Sequence, residues 1–321
     1  MKVLRKFQFE HCWFIYSLMG LIITPWFVTL FFCHHPLVAF HSVGSSLLLK
    51  ANLFSLGWGV ANVLCGICFL RIGFALTGGI LAGLGISIGV TVPMIVKASG
   101  LFSQAPNLGS LAGHTVLLGV AVMLVGVVLV SFAGFGRDRA IKTPQPSSGN
   151  FRTGLVMVVI SGVLSVGMSF SFIYSQGPIV SALKAQGSPD IPATFAVWAV
   201  SLMGGALVNV LYPAYLMTKN RSWSILLECW GDVGKSILIG VSFFVAVCAL
   251  GKGMLLLGSL GASVGFGIQQ AAQMLGSQGV GFIGGEWRGV TGKPMVQMYA
   301  AILLLIFASM VLAYANTLAK T

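Results

Sequence analysis

The chain has 321 residues, of which 57% are hydrophobic and only 7% are charged, and its mean hydropathy is +0.96. A soluble domain carries roughly 25% charged residues, so this composition excludes a soluble globular protein with a hydrated surface. The formal net charge of +12 would suit a nucleic-acid-binding protein, but it also suits a membrane protein whose basic residues gather in cytoplasmic loops. The composition predicts a chain embedded in a lipid bilayer, with no nucleic-acid partner.

Nine apolar runs of about twenty residues follow one another along the chain, each ended by a short polar break. A helix rises about 1.5 Å per residue, so such a run matches the ~30 Å hydrocarbon core of a bilayer. The pattern predicts an all-α polytopic membrane protein with nine transmembrane helices. In chain order, the predicted spans are Cys12–Cys33, Ala51–Arg71, Gly73–Val96, Thr115–Ala133, Gly154–Tyr174, Phe195–Met217, Gly234–Gly251, Leu257–Ile283 and Met295–Ala315.

Basic residues divide unevenly when the loops are assigned to alternate sides of the membrane. The side that holds the N-terminus receives most of the 18 lysines and arginines. Cytoplasmic loops carry this excess, so the N-terminus is expected in the cytoplasm and the C-terminus in the periplasm of an inner membrane. The residues on the other side are Lys50, Lys97, Lys184, Lys252 and Lys320.

The first apolar run is too long for the apolar segment of a signal peptide, so it is expected to stay as a helix. The six cysteines are scattered and predict no disulfide framework. Cys65 and Cys68 form a CxxC pair inside a span, where packing is favoured over a redox or metal pair. His34, His35 and His41 lie in one external loop, where an ordinary loop is favoured over a metal site. No metal and no cofactor are predicted.

The polar, basic stretch 136–152 divides the chain into four spans before it and five after it. The predicted organisation is an N-terminal repeat at 1–135, a cytoplasmic linker at 136–153 and a C-terminal repeat at 154–321. Inverted repeats need an odd number of helices in each half, and five plus five would fit. The Gly-rich third and eighth spans correspond, and so do the plain aliphatic fourth and ninth. The first half therefore lacks a counterpart of the fifth span.

Five stretches, spread over nearly the whole chain, carry a family resemblance. They are RKFQFEHCWFIYSLMGLIITPW from Arg5, WGVANVLCGICFLRIGFALTGGILAGLGISIGV from Trp58, GLVMVVISGVLSVGMSF from Gly154, GGALVN from Gly204 and GEWRGVTGKP from Gly285. In these stretches the chain resembles the L-rhamnose–proton symporter family of the drug/metabolite transporter superfamily. The resemblance implies ten helices in two inverted repeats, of which this chain would lack the first. Either translation starts upstream of Met1, or the protein is a shortened one with nine helices.

Uncharged polar side chains in mid-span are the candidates for a substrate path, because a polar group in hydrocarbon is costly unless a partner or a cavity satisfies it. Asn62 lies four residues after Trp58, so the two share one helical face. Ser165 and Ser169 are one turn apart in the fifth predicted span, and Asn209 lies in the sixth. Amides and hydroxyls suit a neutral polyol, and the plane of Trp58 can cover the apolar face of a sugar.

The eighth predicted span adds three candidates, Gln269, Gln270 and Gln273. Its small residues Gly261 and Gly265 repeat with the glutamines at four-residue spacing, which keeps them on one face. The third span has the same spacing, and two such faces would suit a central cavity. The alternative is a packing role, with the glutamines as interhelical hydrogen-bonding groups. The residues of the third-span face are Ala75, Gly79, Gly83 and Ser87.

Other aromatic residues are weaker candidates for sugar binding. Trp198 and Tyr174 lie within spans, while lipid contact or an anchoring role at the membrane interface is expected for Trp13, Trp26, Trp223 and Trp287.

Proton coupling needs a group that changes its protonation during transport, usually an embedded carboxylate or histidine. No acid falls in the middle of a predicted span. Glu10 and Glu286 lie at cytoplasmic edges and match acidic positions of the resembled family, so they are the coupling candidates. For Glu286 the alternative is a solvated loop acid, paired for example with Arg288. Coupling could also use the absent first helix, or the protein could be a facilitator.

The function predicted is secondary active transport of a small neutral sugar, by resemblance L-rhamnose or a related deoxy sugar, through alternating access and with proton symport. The alternatives are export of amino acids or other metabolites, an uncoupled sugar facilitator, and a membrane component that does not transport. An enzyme is disfavoured, since no Ser–His, paired Asp or HExxH arrangement lies in a span, and no P-loop is present.

The predicted orientation can be measured directly. A reporter fused after Thr321 should report a periplasmic position, because the excess of positive charge keeps the opposite side of the chain in the cytoplasm. A cytoplasmic signal from that fusion would contradict either the orientation or the odd number of spans.

Overall fold

The computed structural model describes residues 6–99, 106–141, 151–257 and 264–318, and in these ranges the chain is helical and has no strand. Fourteen α-helices, α1 to α14, are described, with a π-helical turn at Leu18–Ile23 and a 3₁₀ turn at Val96–Ser99. In order, the α-helices are Phe9–Ser17, Thr24–Phe32, Pro36–Val43, Ser45–Ile72, Phe74–Ile95, Leu111–Ala140, Phe151–Ser165, Gly167–Ala185, Asp190–Ser201, Met203–Lys219, Ile225–Glu228, Trp230–Leu256, Phe266–Ile283 and Lys293–Leu318.

Seven helical segments of the described residues are long and apolar enough to cross a membrane, and the bent pair α9–α10 would make an eighth. The chain is thus a polytopic α-helical membrane protein. The seven segments are Phe9–Phe32, Ser45–Phe69, Leu76–Ile95, Leu111–Ala140, Arg152–Ala185, Trp230–Leu256 and Lys293–Leu318.

The eighth predicted span, Leu257–Ile283, differs from the others. Its described helix is α13, Phe266–Ile283, which is not among the candidate spans. Four glutamines lower its apolar character, and residues 258–263 lie outside the described ranges. Length and composition therefore support seven or eight spans in the described residues, and α13 is a span by prediction alone.

The described chain divides into two compact units, each with residues from both sides of the predicted linker. Unit 1 comprises Met1–Val63 and Gly167–Lys252, and unit 2 comprises Leu64–Val166 and Gly253–Thr321. The division at 1–135, 136–153 and 154–321 concerns repeats along the sequence and stays a prediction, since compact units and sequence repeats are different partitions.

In unit 1, α1 packs on α10, and α8 and α2 both pack on α9. The first span contains the π-helical turn just before Pro25, a residue that cannot donate a helical hydrogen bond. Gly20 of this turn lies against Gly240 of α12, where a methyl group on Gly20 would come 2.6 Å from the Gly240 carbonyl oxygen. The two glycines let the backbones approach closely, as small residues do in membrane proteins.

In unit 2, α6 packs along α14, and α5 contacts α6, α7 and α13. The side chain of Ser110 accepts a hydrogen bond from the Gly113 amide and begins α6. Leu305 and Leu312 of α14 lie against Gly126 and Gly119 of α6. Cys68 belongs to an apolar cluster with Ile72 and Val158, in agreement with a packing role for the CxxC pair.

Candidate functional site

A helix break in unit 1 lies at the centre of the candidate site. The sequence predicts one span over Phe195–Met217, whereas the structure has α9 ending at Ser201 and α10 beginning at Met203, with a bend of 49° between them. The first amide groups of a helix have no partner within it, and a membrane interior offers no water to satisfy them. The break therefore needs hydrogen-bonding side chains from neighbouring helices.

Helix α4 provides acceptors for two of these amides. The Gly204 N–H donates to Oδ1 of Asn52 at 2.8 Å, and the Gly205 N–H donates to Oγ of Ser55 at 2.9 Å. Asn52 and Ser55 are three residues apart and share one face of α4. The start of α10 is thus capped by side chains that are about 150 residues away in the sequence.

Helix α8 supports the other side of the break. Ser171 Oγ donates to the Ser201 carbonyl oxygen at 3.3 Å, and Ser175 Oγ lies 3.0 Å from Ser201 Oγ. All three serines are fully buried. The last turn of α9 therefore has hydroxyl partners on α8, while the first turn of α10 has partners on α4.

Trp58 of α4 lies directly on the Gly205 backbone. A methyl group at Gly205 would come 2.5 Å from Cε3 of Trp58, so this position has room for glycine alone. The indole is 8% exposed and lies nearly parallel to the Phe243 ring, at a centroid distance of 6.3 Å and an angle of 15°. The π-face of Trp58 is thus held in a fixed orientation next to the helix break.

Asn209 connects three helices one turn after Gly205. Its Nδ2 donates to the Gly205 carbonyl oxygen at 2.8 Å, and its Oδ1 accepts from Trp13 Nε1 at 3.0 Å and from Asn62 Nδ2 at 3.4 Å. Asn209 is 0% exposed. The structure thus brings together three of the predicted residues, Trp58, Asn62 and Asn209, in one buried polar cluster.

Two features near Asn209 were not foreseen from the sequence. Trp13 was expected at the interface, but its indole N–H reaches Asn209. Pro213 lies four residues after Asn209 and has no N–H to donate to the Asn209 carbonyl, so the usual helical bond is missing there. The proline four residues after a mid-span amide is a signal that could have been used.

Ser165 and Ser169 are not on one continuous helix. The helix is interrupted at Val166, and Ser165 belongs to unit 2 while Ser169 belongs to unit 1. Ser165 Oγ donates to the Gly162 carbonyl of its own helix at 2.7 Å. Ser169 is buried, and its Oγ has no hydrogen-bond partner among the described residues.

The glutamines of α13 have different surroundings in unit 2. Gln270 Nε2 lies against Gly85 of α5, where a methyl group would come within 2.6 Å of it. Gln269 Nε2 donates to Oε1 of the exposed Gln273 at 3.0 Å. The Oε1 atom of Gln269 is buried and has no partner among the described residues. Gln269 thus keeps an unused acceptor, whereas Gln273 faces outwards.

The small-residue face of α5 serves packing. Gly79 lies against Ser131 and Gly83 against Leu124, both on α6. The glycines that contact α13 are instead Gly85 and Gly89. Of the other members of the two predicted faces, Gly261 and the side chain of Ala75 lie outside the described residues.

Trp198, a further aromatic candidate, is fully buried and stacks on Phe172 at a centroid distance of 4.3 Å and an angle of 18°. This pair belongs to the interior of unit 1. Trp198 therefore has no exposed face for a solute in this structure.

The two coupling candidates occupy unlike environments. Glu10, in the first turn of α1, is 6% exposed and accepts a hydrogen bond from Asn220 Nδ2 at 3.0 Å. Glu286 has a side chain that is 46% exposed and forms an ion pair with Arg137 of α6 at 3.1 Å. Arg137 also pairs with Asp138 at 3.0 Å. Glu10 therefore has a neutral amide partner, whereas Glu286 has a cationic one.

The surroundings of Glu286 correct one expectation. Trp287, expected at the interface, is buried with Ala133, Val290 and Met298, and the Arg137 guanidinium lies 5.4 Å from its ring centroid. The loop after α13 is thus attached to the start of α14 and the end of α6.

Comparison with known proteins identifies the family. The family model described as L-rhamnose-proton symport protein (RhaT) matches residues 1–317. The chain belongs to this family. It is therefore a multi-pass membrane protein of a transporter family and not an enzyme.

Individual relatives are distant but cover most of the chain. An L-rhamnose-proton symporter of Yersinia pestis bv. Antiqua (strain Antiqua) is 27% identical over 316 residues, which cover 96% of this chain and 90% of the relative. An L-rhamnose-proton symporter of Yersinia pestis (strain Pestoides F) is 29% identical over 249 residues, or 78% of this chain and 70% of the relative. A protein of the same name from Yersinia pseudotuberculosis serotype O:3 (strain YPIII) gives the same values.

The capping of the helix break can be tested by Ser55→Ala. This change leaves the buried Gly205 N–H without its acceptor, and we expect a loss of about 1–3 kcal/mol in the free energy of unfolding. Thermal or denaturant unfolding in detergent measures it. Ser277→Ala is the control, because Ser277 is exposed and bonds only within α13 to the Met274 carbonyl. Equal stability of the two variants would contradict the capping role.

Proposed function

We propose that this protein is a proton-coupled symporter of a small neutral sugar, with L-rhamnose as the first substrate to test. The observation that carries the proposal is the buried cluster around Asn209, within a chain of the RhaT family. The relatives described above are named L-rhamnose-proton symporters. The cluster contains two amides and two indoles and no charged group, a composition that suits a polyol and not an ionic metabolite.

The chemistry of the cluster fits sugar recognition in two ways. Asn209 Oδ1 accepts from Trp13 and Asn62 in this structure, and a sugar hydroxyl can take over one of these donors as its own partner. The fixed Trp58 plane beside Gly205 can cover the C–H face of a pyranose ring. Because Pro213 has no N–H to donate to the Asn209 carbonyl, this oxygen can serve as a further acceptor for a sugar hydroxyl.

In unit 2, we propose that Gln269 and Gln270 of α13, together with Ser165, contribute hydrogen bonds to a sugar during the transport cycle. The buried and unpartnered Oε1 of Gln269 supports this, since a buried acceptor without a donor is costly. Helix α13 is proposed to form the eighth predicted span, whose glutamines line a polar path instead of facing lipid. The exposed Gln273 is a weaker candidate for this path. In unit 1, the buried Ser169 is a weaker candidate for sugar binding.

Transport is proposed to proceed by alternating access, in which the sugar site opens to one side of the membrane at a time. We place the protein in a bacterial inner membrane with a cytoplasmic N-terminus and a periplasmic C-terminus, as the distribution of basic residues suggests.

Of the two acids, we propose that Glu10 binds the coupling proton. A coupling carboxylate must be stable both with and without its proton during one cycle. The neutral Asn220 amide can stay near Glu10 in both forms, since an amide offers a donor and an acceptor. Glu286 instead forms an ion pair with the Arg137 guanidinium, and a protonated carboxyl group would lose this pair. Glu286 is therefore assigned to the attachment of its loop.

The sugar site can be tested with Asn62→Ala and Gln269→Ala in proteoliposomes, using labelled L-rhamnose. Each change removes a hydrogen bond to the sugar, and we expect about a tenfold loss in uptake at low sugar concentration, with unchanged membrane abundance. Asn107→Ala, an exposed amide in a loop, is the matched control and should transport normally. Normal uptake in both test variants would remove these residues from the site.

The same preparation separates the alternative functions. Thermal stabilisation by a panel of sugars and amino acids distinguishes a sugar carrier from a metabolite exporter. Uptake with and without an imposed pH gradient distinguishes a symporter from a facilitator, which would equilibrate the sugar without accumulating it.

The coupling acid can be tested with Glu10→Gln and Glu286→Gln. With one proton per sugar, a gradient of one pH unit drives at most about tenfold accumulation. We expect Glu10→Gln to lose this accumulation and to keep sugar counterflow, because it cannot release a proton. Glu286→Gln should accumulate the sugar as the wild type does. The reverse result would assign the proton to Glu286.

A further inference from the structure

The N-terminal end of α1 contains a second group that can bind a proton and to which no role has been assigned. His11 is 0% exposed and lies next to Glu10 in the first turn of α1. Both nitrogens of its ring have partners. Nδ1 lies 3.2 Å from the backbone N–H of Gln8, and Nε2 lies 3.0 Å from the Ser222 carbonyl oxygen and 3.1 Å from Ser222 Oγ.

These partners determine the protonation state that the geometry accepts. The Gln8 amide is a donor, so Nδ1 must be an acceptor and carry no hydrogen. The Ser222 carbonyl is an acceptor, so Nε2 must carry the hydrogen. Only the neutral Nε2–H tautomer satisfies both contacts, because each nitrogen of a doubly protonated imidazole is a donor. A second proton on His11 would place two donors, Nδ1–H and the Gln8 N–H, against each other.

The contacts of His11 cap the N-terminal end of α1. The side chain of Gln8 accepts from the backbone of His11 while His11 accepts from the backbone of Gln8, a reciprocal pair of bonds that caps α1. Through Ser222, the same imidazole connects α1 to the loop between α10 and α11. Protonation of Nδ1 would break the cap of α1, while Nε2–H would still donate to the Ser222 carbonyl.

Among the described residues, no charged side chain contacts the ring nitrogens of His11. Asp232 of α12 already accepts the Lys6 and Phe7 amides at 2.9 and 3.3 Å and pairs with Lys235. Glu10 accepts from Asn220. Other charged residues on the packed segments are Lys219, Arg221 and Glu228, of which Glu228 pairs with Lys6.

We infer that His11 is a second proton-binding residue of this protein and that its protonation opens the cap of α1 and so releases the N-terminal end of this helix. The inference rests on the proposed symport. Trp13 lies two residues on, about 3 Å along the same helix axis, and donates to Asn209. Movement of this end of α1 therefore reaches the proposed sugar site. Because His11 is fully buried, its ring exchanges protons with water only when this end has opened.

The inference is tested by the pH dependence of L-rhamnose counterflow, with equal pH on both sides of the proteoliposome membrane. Protonation favours the released state, so counterflow should rise by roughly tenfold, equivalent to about 1.4 kcal/mol, as the pH falls from about 8 to about 5.5. His11→Gln keeps one donor and one acceptor but cannot take up a proton. Its counterflow should therefore be independent of pH within about twofold.

Two backgrounds and one control isolate the effect of His11. The profile is recorded in the wild type and in Glu10→Gln, so that titration of the proposed coupling acid is removed in the second case. His41→Gln is the matched control, because His41 is exposed in the last turn of α3, and it should keep the wild-type profile. At a fixed pH gradient, His11→Gln should still accumulate the sugar, since the coupling proton is assigned to Glu10.

Each other outcome has a definite meaning. A pH profile that persists in Glu10→Gln/His11→Gln, or one that is already flat in Glu10→Gln, overturns the inference. Loss of accumulation in His11→Gln would make His11 the coupling residue and would also overturn it. If both His11→Gln and His11→Asn lack counterflow, His11 serves the fold and the inference fails. Absence of L-rhamnose counterflow in the wild type would instead reject the proposed function.

Discussion

Backbone amides that lack a helical partner are the constraint on which the structure of unit 1 depends. In hydrocarbon no water can satisfy such groups, so a transmembrane helix can break only where neighbouring helices provide partners. Here Asn52 and Ser55 of α4 accept the amides that begin α10, and Ser171 of α8 donates to the last carbonyl of α9. The polar cluster follows from this solution, because the same face of α4 that caps α10 also carries Trp58 and Asn62 towards Asn209.

The apolar runs predicted the helices well, because in a bilayer length and hydropathy alone decide whether a segment can span. Every predicted span overlaps a described helix. The break at Leu202 could not be predicted in the same way, since Phe195–Met217 is predominantly apolar on both sides of it and Gly204–Gly205 is equally typical of close helix packing. The presence of Asn52 and Ser55 beside the glycines decides between a helix break and close packing. In the sequence these two residues are about 150 positions away from the glycines.

For a related reason, the sequence predicted only part of the candidate site. The four-residue spacing of Trp58 and Asn62 correctly put them on one face, and the polar character of Asn209 marked it within its span. Spacing identifies a face but not its partner, which is why the glycines Gly79 and Gly83 proved to pack on α6. Trp13 was missed because an aromatic residue near the end of a span has the same local pattern whether it anchors the helix or binds inside the protein. Its partner is 196 residues away.

The protonatable groups show why position in a span is a poor guide to a role in coupling. Glu10, His11 and Glu286 all lie near helix ends, and the sequence offers no reason to rank them. Their partners do: Glu286 pairs with a guanidinium, Glu10 contacts a neutral amide that offers both a donor and an acceptor, and the His11 ring contacts a backbone N–H with one nitrogen and a backbone carbonyl with the other. A group that must gain and lose a proton within each cycle needs a neutral partner, as Glu10 has. A group whose protonation must move a helix needs fixed backbone partners, as His11 has. Both environments occur in the first turn of α1, within one turn of the tryptophan that contacts Asn209.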